Sequence, residues 1–174
     1  MDQASLRARQ APLKERYRAE PTAALSASRA EAHLIPGEVA CRVKTHAGEV
    51  RAGLHPATGG DGSEACSGDM LLEALVACAG VTLSAVAIAS GVAFREARVI
   101  AEGSWDARGT LGIDRAAPVG VKEIALRFEI DSDADERTLA RLIETTERYC
   151  VVFQTLHNPP SLSCSYGRIG EMAS

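Results

Sequence analysis

The sequence predicts a mixed helix-and-sheet domain in which one long apolar helix is covered by a sheet on one side and by helices, or a second subunit, on the other. Three observations predict it. The stretch LLEALVACAGVTLSAVA, Leu71 to Ala87, is apolar on nearly every face and needs covering almost all round. The stretch KEIALRFEIDSD puts Ile124, Leu126, Phe128 and Ile130 at a period of two, the spacing of a half-buried strand. At 174 residues the chain has the usual size of one domain with one core. We read residues 1–22 as an N-terminal helical extension and 23–174 as a single domain.

In the first twenty residues Leu6, Ala11, Leu13 and Tyr17 lie among charges, which predicts a short helix interrupted near Pro12. From Ala23 to Thr45, ALSASRAEAHL, the turn IPGE and VACRVKT alternate roughly in twos and predict a hairpin. HAGE is the next turn, and EVRAGLH a third strand. PATGGDGSEACSGD has neither period; it lacks the GK[ST] ending of a phosphate loop and reads as a connection into the helix. Ser67 or Gly68 is the expected cap of that helix, with Asp69 and Glu73 suiting its positive end and Gly91 closing it. ARVIAEGSWDARG predicts a strand with Trp105 near its end, followed by the strand around Phe128. Ser132 with Asp135 resembles a capping box, so a helix is expected from about Asp133. Within it Leu139, Leu142, Ile143, Thr146, Tyr149, Cys150 and Phe153 keep the spacing of one helical face. Asn158-Pro159-Pro160 ends the helix, and SLSCSYGRI predicts a last strand.

Composition narrows the partners. Nineteen basic against 23 acidic residues, a net charge of -4 and a pI near 5.6 argue against nucleic acid. The start MDQASLRARQAPLKERYRAE has no apolar export signal, so a cytoplasmic protein is expected. The run Ala74 to Ala89 is broken by Gly80, Thr82 and Ser84 and is shorter than the roughly 20 apolar residues of a bilayer span, which predicts burial in protein and no membrane. Cys41, Cys66, Cys78, Cys150 and Cys164 are odd in number and contain no CxxC, and the four histidines are scattered; thiols are expected, with no metal and no cofactor.

Thiol chemistry requires the thiolate, and therefore a positive charge, a helix N-terminus or a hydrogen-bond donor close to the sulfur. Cys78 lies ten residues beyond Gly68, where the N-terminal dipole of an unbroken helix has faded. Cys150 has Arg141 and Arg148 nearby in sequence, and a helix break at Tyr149 would put it at a fresh N-terminus. Composition alone favours the plain reading of both as small buried hydrophobes. Cys41, Cys66 and Cys164 keep that reading.

The segment ACSGDMLLEALVACAGVTLSAVA, with an acid nine places before a cysteine on an apolar helix, and the second cysteine in ERYCVVFQTL resemble the OsmC/Ohr family, the osmotically inducible and organic hydroperoxide resistance proteins. The likeness runs from about Ala23 to Ile169, and GLHPATGGDGSEACSGD with RQAPLKERYR places it on an OsmC-like branch. The resemblance implies an α+β fold of curved antiparallel sheets packed around central buried helices in an intertwined homodimer. It also implies a thiol-dependent peroxidase acting on an organic hydroperoxide. In that reading Cys78 attacks the peroxide and becomes a sulfenic acid, Cys150 condenses with it to a disulfide, and a dithiol reductant reopens the bond. Asp69 matches the acid that in the family holds an activating arginine.

The sequence departs from the family pattern in two places. The turn that carries the arginine reads LIPGE, leaving only Arg42 and Arg51 on neighbouring strands. At about 100° per residue, Asp69 falls on the face of the helix opposite Cys78, as a capping acid would. Val151 and Gln154 follow Cys150 where the commonest pattern has proline and asparagine. A non-catalytic binder of a small apolar ligand, or a redox sensor, on the same fold is the alternative.

Overall fold

The computed structural model describes residues 1–169. Helices α1 (Gln3–Ala19), α2 (Ser67–Ser90), α3 (Ala107–Thr110), α4 (Glu136–Tyr149) and α5 (Val151–His157) alternate with strands β1 (Ala32–Leu34), β2 (Ala40–Thr45), β3 (Gly48–Gly53), β4 (Ala65–Cys66), β5 (Glu96–Ser104) and β6 (Glu123–Asp131). The strands form two sheets, one in the order β1-β2-β3-β4 and one pairing β5 with β6. All pairings are antiparallel except the short parallel bridge of β3 with β4. This is the α+β architecture the sequence predicts.

Helix α2 is the axis of the fold. Leu75, Ala79, Leu83 and Ala87, four residues apart, are its buried stripe. Around Leu83, Ala87 and Leu142 of α4 pack Phe94, Val99, Phe128, Ile130, Leu139 and Ile143, so the β5–β6 hairpin lies on one side of α2 and α4 on the other. Gly91, at φ 70°, closes α2 in the left-handed conformation that favours glycine. The N-cap is Cys66 rather than Ser67 or Gly68, and no side chain bonds there. At 24 residues α2 is long and apolar enough to cross a membrane, longer than the broken run in the sequence suggested; its buried stripe is nevertheless core against α4 and β5. The opposite side stays open, with Val81 73 % exposed.

Several elements differ from expectation. Helix α1 runs unbroken through Pro12. The Ala8 carbonyl that loses its donor there belongs to an exposed residue, so water can serve it. Of the segment expected as the first strand, only Ala32–Leu34 pairs, preceded by a single 3-10 turn at Pro21–Ala24. Helix α4 begins at Glu136, because Asp135 accepts the Thr138 N–H at 2.7 Å and is the true cap. The Ser132 hydroxyl instead donates to the Ala93 carbonyl.

The last predicted strand is absent. Residues 159–168 have no regular structure, and Leu162 and Tyr166 are 94 % and 102 % exposed. Alternation gave this segment a strand's side-chain pattern, but no neighbouring strand in the chain takes its backbone hydrogen bonds. Residues 170–174 of the expected domain lie outside the described residues.

The glycine-rich connection is a packing device. A Cβ on Gly60 would sit 1.8 Å from the Leu54 carbonyl oxygen, so only glycine lets the chain pass. Arg51 of β3 pairs with Glu38 in the β1–β2 turn and with Glu64 in this connection, tying both to the sheet.

Candidate active site

Cys78 lies at the middle of α2. At about 100° per residue it shares one helix face with Leu71, Leu75 and Thr82. That face meets the junction of α4 and α5, where the sequence showed one continuous helical face and left open a break at Tyr149. The junction breaks at Cys150 (φ -74°, ψ 108°), which is at once the C-cap of α4 and the N-cap of α5. Its N–H still donates to the Thr146 carbonyl at 2.9 Å, and its carbonyl accepts from the Gln154 N–H at 2.9 Å. The break turns Tyr149 outward and encloses Cys150 completely, at 0 % exposure. Gln154 holds the corner: its side-chain amide donates to the Glu147 carbonyl at 2.9 Å, serving an acceptor that the end of α4 leaves open.

The break aims the first amides of α5 at Cys78. Burial pushes the Cys78 thiol up, but four donors outweigh it and hold it below its ordinary value: the Val152 N–H, the Cys150 thiol, the Val151 N–H and the Thr82 hydroxyl. Cys150 moves the other way. Burial raises it, the neighbouring Cys78 sulfur raises it further, and the amides of Phe153 and Val152 offset this only in part. No side-chain cap bond closes at α5, so these are weak contacts of the kind sulfur makes rather than a conventional cap. The pair is therefore asymmetric: Cys78 is the more acidic thiol and Cys150 the less acidic one beside it. Both are free thiols, as are Cys41, Cys66 and Cys164.

Asp69 is not part of this cluster. It is exposed in the first turn of an unbroken α2, facing away from Cys78, with no ion pair among the described residues. The two candidate arginines are engaged elsewhere, Arg42 with Glu49 at 3.4 Å and Arg51 with Glu38 and Glu64. Among the described residues, hydrogen-bond donors rather than a cation act on the Cys78 sulfur. Sequence reading missed Thr82 and the α5 amides. The signal for Thr82 was present: a hydroxyl four residues after the cysteine in a run otherwise of Ala, Gly, Val and Leu. Among the described residues no cluster of three or more His, Cys, Asp or Glu could hold a metal ion.

Beside the sulfurs, along the same α2 face, lies a cavity of about 520 Å³ lined by Leu71, Leu75, Ile124, Leu126, Phe153 and Leu156, with Lys122, Glu147 and His157 among its polar residues. The two cysteines do not line it; Cys78 lies one helical turn beyond Leu75 on α2.

Comparison with known proteins agrees with this architecture. The OsmC-like protein family matches residues 60–165. Among solved structures, the OsmC-like protein from Mycoplasma pneumoniae superposes with a TM-score of 0.64 at 20 % identity, covering 77 % of this chain and 89 % of that one. The organic hydroperoxide resistance protein OsmC from Legionella pneumophila gives 0.60 at 19 % identity, covering 78 % and 92 %. An organic hydroperoxide resistance protein from Elizabethkingia anophelis gives 0.61 at 19 %, covering 78 % and 91 %. No curated protein matches the sequence. The buried helix bearing Cys78, the second cysteine at a helix break and the match over residues 60–165 make this chain a member of the OsmC-like protein family.

Proposed function

We propose that the protein is a thiol-dependent peroxidase that reduces organic hydroperoxides through Cys78 and Cys150. The observation that carries the reading is the asymmetric pair: two adjacent thiols, one lowered by converging donors and one raised. The Cys78 thiolate attacks the outer oxygen of R–O–O–H, the O–O bond breaks, and the alkoxide takes a proton and leaves as the alcohol. Cys78 is thereby oxidised by two electrons to a sulfenic acid. Cys150 then attacks that sulfur, water leaves, and a disulfide joins the two residues. A dithiol reductant supplies two electrons and two protons to restore both thiols. The cavity beside Leu75 supports an organic substrate, since its Leu71, Leu75, Ile124, Leu126, Phe153 and Leu156 side chains offer an apolar wall to an alkyl or aryl group. Asp69 contributes in this reading as the acid at the positive end of α2.

The working form in this proposal is a cytoplasmic homodimer. The exposed apolar side chains Leu34, Val81, Leu162 and Tyr166 support a second copy, as does a β1 strand with every residue exposed. A dithiol-coupled assay with cumene hydroperoxide tests the activity. Cys78→Ser is expected to abolish peroxide consumption, and equal rates in variant and wild type would eliminate the proposal.

The engagement of Arg42 and Arg51 in other ion pairs favours one second reading, a binder of an apolar ligand in the same cavity without turnover. Native mass spectrometry separates the two. Retained ligand with peroxide-inert thiols supports the binder; peroxide-dependent loss of two hydrogens supports the enzyme.

A further inference from the structure

Helix α1 carries one seam and uses only half of it. Gln3, Leu6, Gln10, Leu13 and Tyr17 alternate three and four residues apart, the spacing of one narrow helical face. The first half of the seam is docked on its own chain. The Gln3 side-chain amide donates to the Ala89 carbonyl at the end of α2 at 2.6 Å, and Gln3, Leu6 and Gln10 are half-buried. The second half is open, with Leu13 47 % and Tyr17 38 % exposed. Arg7, Lys14 and Arg18 flank the seam on one side, Arg9 and Arg16 on the other. With Glu15 as its single acid, α1 carries a net +4 in a chain of -4, so the rest of the molecule carries -8.

Helix α2 offers the complement. Val76, Ala77, Gly80 and Ser84, with Ala97 and Val99 of β5, line a mostly apolar groove of about 350 Å³. Its helical wall is made of small side chains, which leaves room for large ones. Glu73 precedes Val76 and Ala77 by three and four residues, and Asp69 lies one turn earlier, so both carboxylates stand on the same face at the N-terminal mouth of the groove. Val81, the most exposed apolar residue of α2, borders it.

We propose that the second half of α1 is an arm that seats in this groove on a second copy of the chain, with Tyr17 and Leu13 entering between α2 and β5 and the last-turn arginines Arg16 and Arg18 meeting Glu73. The inference rests on the dimer proposed above and is independent of the peroxidase cycle. Tyr17 and Leu13 are one helical turn apart, as are Val76 and Gly80, so successive side chains of the arm meet successive gaps in the wall. Charge fixes the direction: only with α1 antiparallel to α2 do Arg16 and Arg18 reach the acidic mouth while Leu13 lies deeper along the groove. The exchange is mutual. Each copy gives one arm and receives one, which closes a twofold dimer and doubles every contact.

The test uses full-length protein with the photoreactive residue p-benzoylphenylalanine at position 17, irradiated and separated by denaturing electrophoresis. A crosslink to a second copy doubles the mass, whereas a crosslink within the chain does not, and mass spectrometry of the digested product locates the attachment. The expected product is a covalent dimer attached within residues 73–99, the span that holds the groove. Crosslinking confined to the single chain, no crosslink at all, or attachment outside that span would overturn the inference.

Arg16→Glu combined with Arg18→Glu changes only exposed side chains and is expected to raise the self-association Kd about tenfold in sedimentation, because repulsive contacts replace attractive ones twice per dimer. Adding Glu73→Arg is expected to recover most of that loss, and no recovery would overturn the charge pairing. A wild type that is monomeric at every concentration would overturn the dimer and the arm together; a dimer that crosslinks only within each chain would overturn the arm alone.

Discussion

Replacing Cys150 by alanine and by serine separates the two roles proposed for its sulfur. In the reduced protein it is one of four donors to Cys78, and in the proposed cycle it is the nucleophile that closes the disulfide. Alanine removes both functions; serine keeps an O–H donor and removes only the second. One hydrogen bond to a charged acceptor is worth about 1.4 kcal/mol, so the first step in Cys150→Ala is expected to slow about tenfold below neutral pH. The difference shrinks as pH rises and Cys78 ionises without help. Cys150→Ser is expected to react with the first equivalent of cumene hydroperoxide at close to the wild-type rate.

Both variants then stop after one turnover, with Cys78 about 16 Da heavier as the sulfenic acid. Because the site is fully enclosed, a hydroxyl there costs about 1–3 kcal/mol of stability, and circular dichroism must confirm folding before the kinetics are read. Stopped-flow mixing followed by intact-mass measurement records both quantities. Sustained turnover by Cys150→Ser at the wild-type rate would refute the disulfide step. Equal first-step rates for alanine and wild type across pH would refute the donor role.

Leu83→Ala removes a side chain only 2 % exposed from the cluster with Ala87 and Leu142, and is expected to cost about 2–5 kcal/mol in urea unfolding; a loss below about 1 kcal/mol would mean that this cluster is not the core. Arg108 beside Asp106 at 2.6 Å, with Lys122 at 3.8 Å, holds the Asp106 carboxyl down at about 2 from an ordinary 3.8. The folded value is the lower one, so the stabilisation is present above about 3.8 and is lost as pH falls through 2; Asp106→Asn is expected to be less stable than wild type at neutral pH, with the gap in urea midpoint closing across that window. A gap independent of pH would exclude the carboxylate as its cause. If the protein is the proposed dimer, Leu162→Asp combined with Tyr166→Asp charges the exposed C-terminal segment and is expected to shift its light-scattering mass to that of a monomer; a wild type that is itself monomeric would refute the dimer, and an unchanged dimer would put the interface elsewhere.

Local pattern made most of the fold legible. Ile124, Leu126, Phe128 and Ile130 announced β6 because a strand packed on one face needs only a period of two. Gly91 announced the end of α2 because a left-handed cap excludes most other residues. The break at Cys150 was legible only as one possibility beside a continuous helical face, since no proline or glycine marks it. It depends on partners far from the chain's local pattern: the Gln154 amide reaching back to Glu147, and an interior that takes the sulfur.

The predicted last strand failed for a related reason. Leu162, Cys164 and Tyr166 alternate correctly, but strand formation needs a neighbouring backbone that this chain does not supply. Of the site, the two sulfurs were legible through the family pattern. The amides beside Cys78 were not, because backbone amides leave no trace in side-chain identity.

Solvent reaches Cys78 in part and Cys150 not at all. In the proposed cycle an incoming reductant would therefore meet only the Cys78 end of the disulfide, and the transient mixed disulfide would form on α2 with Cys150 expelled inward. Leaving-group chemistry alone would favour the reverse direction, because the more acidic thiol departs faster. Enclosure would thus make that regeneration slow toward bulky or crowded thiols and select a slender reagent able to reach α2, so the helix corner that shapes the oxidising half of the proposed cycle would also filter what can undo it.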